Sequence, residues 1–452
     1  MLAKRSARAS LFACVLWAIA AQAQTFTVLV NFPAKTSPTG NIVEGVNGYF
    51  YGASTGGGSA GLGTIFVVTP QGGFETLASL NETTGVNPVG GVMTVGNGNL
   101  YGTAYADGAY YYGTVFEVTP EGTITTLHSF DVSDGAFPSA VPVQVFDGML
   151  YGTTYASGGI CCGTVFKMTL DGTLTTVYNF GVTDGADPAG LVQASNGLLY
   201  GTTVAGGANS QGVVFSVSLE GAYSDLYNFS LPDGGQPIDA LIQSSDGNLY
   251  GTTSRGGAYV GGNGGGTIFK ISPGGELTTL HSFSDGAGGQ EPRTALVEGT
   301  DGNLYGTAEG GANGDGVIFQ ITRSGKFTLL HTFTGADGSG PSTLMQATDG
   351  NFYGVAAGGG TNGGGTLFKL SMGLGPFVET IPTFGKAGAE VTIVGGDLTG
   401  ATSVTFNGAP AAFTIVSPTA IRAAVPSGAT RGTVQVVTPG GTLSSNVQFL
   451  VL

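Results

Sequence analysis

The sequence predicts an all-β chain: a seven-bladed β-propeller closed by an N-terminal strand and followed by a small β-sandwich. Three observations carry this reading. A Tyr-Gly dipeptide recurs at Tyr51, Tyr101, Tyr151, Tyr200, Tyr250, Tyr305 and Tyr353, 48 to 55 residues apart, and a fixed period of this size marks units that bury their apolar faces only by stacking on neighbours. Each unit holds four short runs rich in Val, Ile, Leu, Phe, Tyr and Thr, bounded by Gly, Pro, Asn or Asp, as strands are. The ends of the repeat array are out of phase in a way that a ring would repair.

The four runs of each unit, A to D, resemble Ala-Leu-Val-Gln, Asn-Leu-Tyr-Gly-Thr, Gly-Thr-Val-Phe-Lys-Val-Thr and Thr-Thr-Leu-His-Ser-Phe. An Asn-Gly or Asp-Gly pair separates A from B in every copy, from Asn47-Gly48 and Asn97-Gly98 to Asp301-Gly302 and Asp349-Gly350. Such pairs favour positive φ, so type I′ hairpins are expected. C joins D through a second glycine turn, as at Glu121-Gly122 and Asp171-Gly172, and D reaches the next A through a longer loop ending in Pro138, Pro188, Pro237, Pro292 or Pro341. Four hairpin-joined strands per unit is the pattern of a propeller blade, whereas a β-solenoid repeats faster. The first run, Phe26 to Phe32, matches strand D, and the last unit stops after its strand C, Gly365 to Leu370. The N-terminal strand is therefore expected to complete the last blade and remove its open edge.

The N-terminus reads as a signal peptide, residues 1–23. Lys4, Arg5 and Arg8 precede the apolar run Leu11 to Ala20, too short to span a bilayer, and Ala21-Gln22-Ala23 offers a small-residue cleavage site. The mature chain is expected to be secreted, periplasmic or associated with the cell surface, with no transmembrane segment. Cleavage removes three of 14 Lys and Arg and none of the 29 Asp and Glu, so the product is more acidic than the −15 of the whole chain. Phosphate recognition needs a basic surface, and nucleic acid is excluded as a partner. The 83 glycines recur at fixed places in each unit and read as turn chemistry, not disorder. The period places the propeller at 24–372, a linker at 373–376 and the sandwich at 377–452.

Candidate chemistry is sparse. His128, His281 and His331 share one position of strand D, where other copies carry Val30, Ala78, Tyr178 and Tyr227. A slot that accepts Val, Tyr and His calls for a semi-buried body, and histidines on separate blades do not converge on a metal. Asp134, Asp184, Asp233, Asp285 and Asp337 recur in the D-to-A loops, each followed by Gly, where a carboxylate caps local backbone. Asp131 and Asp134 lack the spacing of a calcium loop. The acids Asp107, Glu309 and Asp315 read as falling singly in different loops, not as a pair facing across a substrate. The glycine runs 261–266 and 358–365 contain no Walker lysine, and no cofactor or metal is expected. Cys161 and Cys162 are adjacent and form a candidate vicinal disulfide stiffening its loop. Tyr105, Asp107, Tyr110, Tyr111 and Tyr112 in the B-to-C loop of blade two, with Tyr155 in that of blade three, break the repeat and are the candidate ligand-binding residues. Exposed tyrosines offer contact area at low entropic cost, although such a loop can also fold back on its own aromatics.

The Leu-Tyr-Gly-Thr, Gly-Thr-Val-Phe and Leu-His-Ser-Phe blocks at Leu150, Gly163 and Leu127 resemble the GloVer tandem-repeat family of bacterial exported proteins in all seven copies. That resemblance implies export and a bacterial source but transfers no catalytic residue. Pro382 to Gly396, Val404 to Gly408, Val425 to Gly428 and Val434 to Gly441 resemble the IPT/TIG immunoglobulin-like family. In that module strands are expected at Ala389 to Val394, Ser403 to Phe406, Ala411 to Ile415, Ala420 to Ala424, Gly432 to Val437 and Val447 to Leu450. The expected function is a non-catalytic binding or cell-surface interaction protein whose extracellular ligand is a polysaccharide or a protein. The alternative is an extracellular carbohydrate-active hydrolase or lyase on the same scaffold.

Overall fold

The computed structural model describes residues 24–157, 162–259, 264–284 and 286–452. The signal-peptide reading, Cys161 and Asp285 lie outside these residues. The described chain holds no helix. Its repeats form seven four-stranded antiparallel sheets, each paired in the order A-B-C-D. Blade one comprises Pro38–Glu44, Phe50–Ser54, Thr64–Val68 and Phe74–Ser79. Blade seven takes A, B and C from Ser339–Gln346, Phe352–Gly358 and Thr366–Ser371, and its D from Thr25–Asn31 at the other end of the chain. The closing register runs from Thr25 opposite Ser371 to Asn31 opposite Thr366.

The Tyr-Gly dipeptide explains why each blade packs as it does. Its glycine faces the strand-C phenylalanine, as Gly52 faces Phe66 and Gly201 faces Phe215. A methyl group on any of the seven glycines would lie 2.5 to 2.7 Å from that ring's Cζ. Glycine here leaves room for an aromatic ring. The tyrosine hydroxyl reaches the Asn or Asp of the A-to-B turn in every blade: Asn47 Nδ2 donates to Tyr51 at 2.9 Å, and the Tyr151 hydroxyl donates to Asp147 at 2.9 Å. The same Asn or Asp side chain accepts the backbone N–H two residues on, as from Tyr49 and Met149.

These turns are not of type I′. Gly48 and its equivalents have positive φ, but Asn47 and its equivalents do not. The bonds Gly48 N–H to Gly45 C=O and Gly45 N–H to Tyr49 C=O, each 2.8 Å, close a three-residue loop with glycine in the left-handed position. Side-chain capping by Asn or Asp makes this longer turn the better fit, because it leaves that residue right-handed and aims its carboxamide or carboxylate at the tyrosine.

Blades are joined by polar links at the ends of the A strands. Gln193 accepts Phe146 N–H, Gln243 accepts Ser195 N–H, and Gln346 accepts Thr300 N–H, each from the preceding blade. Glu298 holds Ser245, and Glu44 of blade one holds the N–H and hydroxyl of Thr348 in blade seven at 2.8 Å. The last link spans the seam where the ring closes.

Residues 378–451 form a sandwich with a continuous core that includes Val391, Ile393, Phe406, Ile421, Val434 and Phe449. One sheet pairs Val378–Ile381, Glu390–Gly395, Ala420–Ala424 and Phe413–Ser417; the other pairs Ala409–Pro410, Ser403–Phe406, Val434–Thr438 and Gly441–Ser444. The expected strand at Val447 to Leu450 is shorter, Leu450–Val451, and lies parallel to Phe384–Gly385. Val378–Ile381 and Gly441–Ser444 had no sequence counterpart, because both run beside turn-rich segments that break alternation.

This module sits on the face of the propeller that carries the A-to-B turns. The Thr419 hydroxyl donates to Val46 C=O at 2.8 Å, Phe377 N–H donates to Thr348 C=O at 2.9 Å, and Phe146 meets Phe384 edge-on at 5.3 Å. The domain thus docks at the turns of blades one, three and seven, on the side opposite the B-to-C and D-to-A loops.

Two outcomes test this packing. Gly201→Ala is expected to destabilise the chain by about 1–3 kcal/mol through overpacking against Phe215, read as a lower midpoint in chemical denaturation; an unchanged midpoint would show that the ring yields freely. Removing residues 24–32 exposes blade seven's edge and loses the buried side chains of Val30 and Phe32 at ~1.5–3 kcal/mol each. The truncated chain should melt well below the full-length protein and self-associate.

Candidate binding face

The loop face is built on a recurring strained residue that sequence reading missed. The residue before the proline that opens each strand A has left-handed backbone: Ser37, Asn87, Phe137, Asp187, Gln236, Glu291 and Gly340, with φ from 47° to 63°. Residues before proline ordinarily favour extended backbone. Here each N–H donates across the blade boundary to the last residue of the preceding B-to-C loop before its closing glycine. Phe137 reaches Tyr112 C=O at 2.7 Å and Asp187 reaches Cys162 C=O at 3.3 Å. These bonds hold the backbone in a conformation that local preference opposes, and they repeat while the side chains vary.

Phe137 is the hub of the tyrosine cluster. Tyr105 stacks on it at 5.2 Å and Tyr112 meets it edge-on at 5.8 Å, so these two tyrosines are half-buried. Tyr155 N–H donates to Phe137 C=O at 3.1 Å, which ties the two loops together. Tyr110, Tyr111 and Tyr155 stand out, 55%, 75% and 43% exposed. The tyrosines therefore divide, with Tyr105 and Tyr112 folded back as support and the other three presented to solvent. Asp107 has φ 63° and its carbonyl accepts Gly113 N–H at 2.9 Å, so it shapes the loop. The Tyr155 hydroxyl bonds to Asp187, whose charge raises the tyrosine above its usual value while burial raises Asp187 above the usual carboxylate range. Asp187 had no mark in the sequence beyond preceding Pro188. Cys162 is disulfide-bonded, with φ 111°.

The central channel is separate from this cluster. Its cavity, about 470 Å³, is lined by the starts of all seven A strands, with Asp239 and Arg293 as its charged residues. Asp239 accepts Ala240 N–H at 2.7 Å and Ala295 N–H at 2.8 Å, and burial lifts its carboxyl to about 6. Arg293 pairs with Glu291 at 2.8 Å and Glu309 at 2.9 Å. None of the six candidate ligand residues lines the channel. Glu309 and Asp315 share one B-to-C loop, between Ala308 and Val317, which corrects their assignment to different loops. Glu309 is engaged by Arg293, so the two acids do not stand free as a catalytic pair.

The strand-D slot is structural, and in four blades its partner is the loop aspartate six residues on. His128 bonds Asp134 at 2.8 Å and His331 bonds Asp337 at 3.0 Å, while Tyr178 and Tyr227 donate to Asp184 and Asp233. The same aspartates cap backbone N–H groups, as Asp184 caps Gly181. The repeated six-residue spacing was the signal that would have revealed these pairs. Burial holds His281 and His331 below the usual histidine value, with Asp337 opposing the shift at His331. A lowered histidine value means the folded state prefers the neutral ring. That contribution is present above 6.5 and is lost as pH falls through the folded value. Wild-type stability should therefore drop on acidification below 6.5 more steeply than that of His281→Phe, measured by urea unfolding across pH; parallel curves would refute it.

A family model described as the Gloeobacter/Verrucomicrobia repeat matches residues 10–183, 141–368 and 259–410, and one described as the IPT/TIG domain matches 376–451. No curated protein matches. Among solved structures, a fungal alcohol oxidase of the AA5 family, in complex with copper, aligns at TM-score 0.54 and 12% identity over 95% of this chain and 99% of that one. A putative 6-phosphogluconolactonase from Bacteroides fragilis aligns at TM-score 0.47 and 18% identity over 68% and 87%. PorZ, a surface component of the type-IX secretion system of Porphyromonas gingivalis, aligns at 0.47 and 14% over 93% of this chain and 60% of that one. At such identities the likeness is one of fold. Copper sites draw on imidazole and thiolate donors. The three histidines stand on separate blades, and among the described residues no three His, Cys, Asp or Glu converge, so these donors do not fit a copper centre.

Proposed function

The chain belongs to the Gloeobacter/Verrucomicrobia repeat family, and from that premise we propose that it is an exported, non-catalytic binding protein that presents its loop face to an extracellular polysaccharide. The observation that carries this reading is the trio Tyr110, Tyr111 and Tyr155, exposed on loops that Phe137 and cross-blade hydrogen bonds hold in place. Aromatic faces pack against the apolar faces of sugar rings, and a fixed loop loses little entropy on binding. Docking of the C-terminal domain against part of the turn face supports placing recognition on the opposite side. Export rests on the basic and apolar pattern of residues 1–23, and no helix of the described residues is long and apolar enough to cross a membrane.

Affinity electrophoresis against a panel of polysaccharides, with reducing-end and unsaturated-product assays on the same mixtures, tests the proposal. Retardation without turnover is expected. Tyr110→Ala/Tyr111→Ala/Tyr155→Ala should weaken it at least about tenfold, ~1.4 kcal/mol, with an unchanged melting temperature. Undiminished binding by the triple variant would overturn the site. Product release would replace the binding reading with the hydrolase or lyase.

A further inference from the structure

At the end of the channel opposite the loop face, the TIG domain and the propeller together line a cavity of about 450 Å³. Glu44 lines it from blade one, and Glu379, on the domain's first strand, lines it from the other side. The remaining lining side chains are neutral, contributed by Thr94, Val143, Gln144, Val297, Gln346 and the segment Thr380 to Phe384 among others. No Lys, Arg or His is among them. A cation, Arg431, lines the adjoining cavity and donates to Gln448, and Glu298 of that cavity is paired with Arg323. The two glutamates also differ. Glu44 accepts both the N–H and the hydroxyl of Thr348, with Asp349 behind it adding further negative charge. Glu379 has no hydrogen-bond or ionic partner among the described residues.

We propose that the TIG domain is an acid-tightened plug of the propeller channel, seated firmly when Glu379 is protonated and loosened when Glu379 and Glu44 are both ionised. Two carboxylates facing one cavity with no cation repel across the domain boundary, and a single proton removes that repulsion. Burial raises the Glu44 carboxyl as well, but the two bonds from Thr348 oppose that rise, and Glu379 receives no such bonds, so the proton goes to Glu379. Burial, reinforced by the charge of Glu44, lifts Glu379 from 4.5 to about 7. A carboxyl raised in the folded state contributes stability that is complete below 4.5 and is lost as pH rises through about 7. Seating should therefore weaken between mildly acidic and mildly alkaline solution. The contacts at risk are those that join the domain to the propeller: the Phe377 N–H to Thr348 bond, the Phe146–Phe384 contact and the Thr419 to Val46 bond.

Hydrogen exchange of residues 376–385 in the full chain, corrected for intrinsic rates, tests this at pH 5.5 and 8.5. Wild-type protection is expected to fall about tenfold or more at the higher pH, since each unit of carboxyl shift is tenfold in the equilibrium. Glu379→Gln, which mimics the protonated form, should be protected equally at both. Glu390→Gln, on the same sheet and paired with Arg422 at the exposed surface, should behave as wild type. Glu44→Gln should move the transition to lower pH, and it keeps the test decisive if the Glu379 variant fails to fold. Equal wild-type protection at the two values, or an undiminished pH effect in Glu379→Gln, would overturn the proposal.

Discussion

The close approach of a strand-B glycine to a strand-C phenylalanine is the constraint on which the rest of the propeller depends. With any side chain at Gly52 or its six equivalents, the ring opposite could not occupy the space it fills at 2.5 to 2.7 Å from an added methyl. The neighbouring tyrosine then points to the other side of the sheet, as alternation in a strand requires. There its hydroxyl meets the Asn or Asp of the A-to-B turn. Two adjacent residues thus set both the spacing of B and C and the shape of the turn joining A and B. The turn in turn places the end of strand A, where Gln193, Gln243, Glu298, Gln346 and Glu44 reach the blade before. Local packing within a blade becomes order around the ring by this route.

Ring closure uses the same chemistry as any other blade boundary. Phe32 N–H donates to Gly365 C=O at 3.0 Å, a bond that other blades make within one unit, and Ser37 N–H donates to Gly364 C=O at 3.1 Å, a bond that other boundaries make between consecutive units. The seam is distinguished only by joining the two ends of the array. No special residue marks it, which is why the missing strand D, and not a motif, was the evidence for closure in the sequence.

Legibility followed the reach of each interaction. The period, the four strands and the closing strand are written in local patterns of apolar residues and glycine. The turn type was misread because an Asn-Gly pair suits both a two-residue hairpin and a three-residue loop. The choice between them was made by a tyrosine four residues away in sequence. The pre-proline ring was invisible because a local rule favours extended backbone, and hydrogen bonds from another blade overrule it. Tyr105 and Tyr112 looked identical to Tyr110 and Tyr111 in sequence; Phe137, from the following D-to-A loop, separates them. Glu44 and Glu379 lie more than three hundred residues apart, and nothing near either one foretells that they face the same cavity.

The two faces of the propeller therefore carry different kinds of information. On the turn face, Asn or Asp, Gly and Tyr repeat in every blade, and the TIG domain docks against that face at Val46, Phe146 and Thr348. On the loop face the backbone repeats just as strictly, through the left-handed residue before each proline, but its side chains run Ser, Asn, Phe, Asp, Gln, Glu and Gly around the ring. A fixed position with seven different side chains breaks the symmetry of the scaffold without loosening it. Phe137 and Asp187 show how this works. Both occupy the same position on neighbouring blades, yet one supports two tyrosines by stacking and the other binds the hydroxyl of a third. A single sector becomes distinct from six others because residues in that one slot differ, while the bonds that hold the slot remain the same.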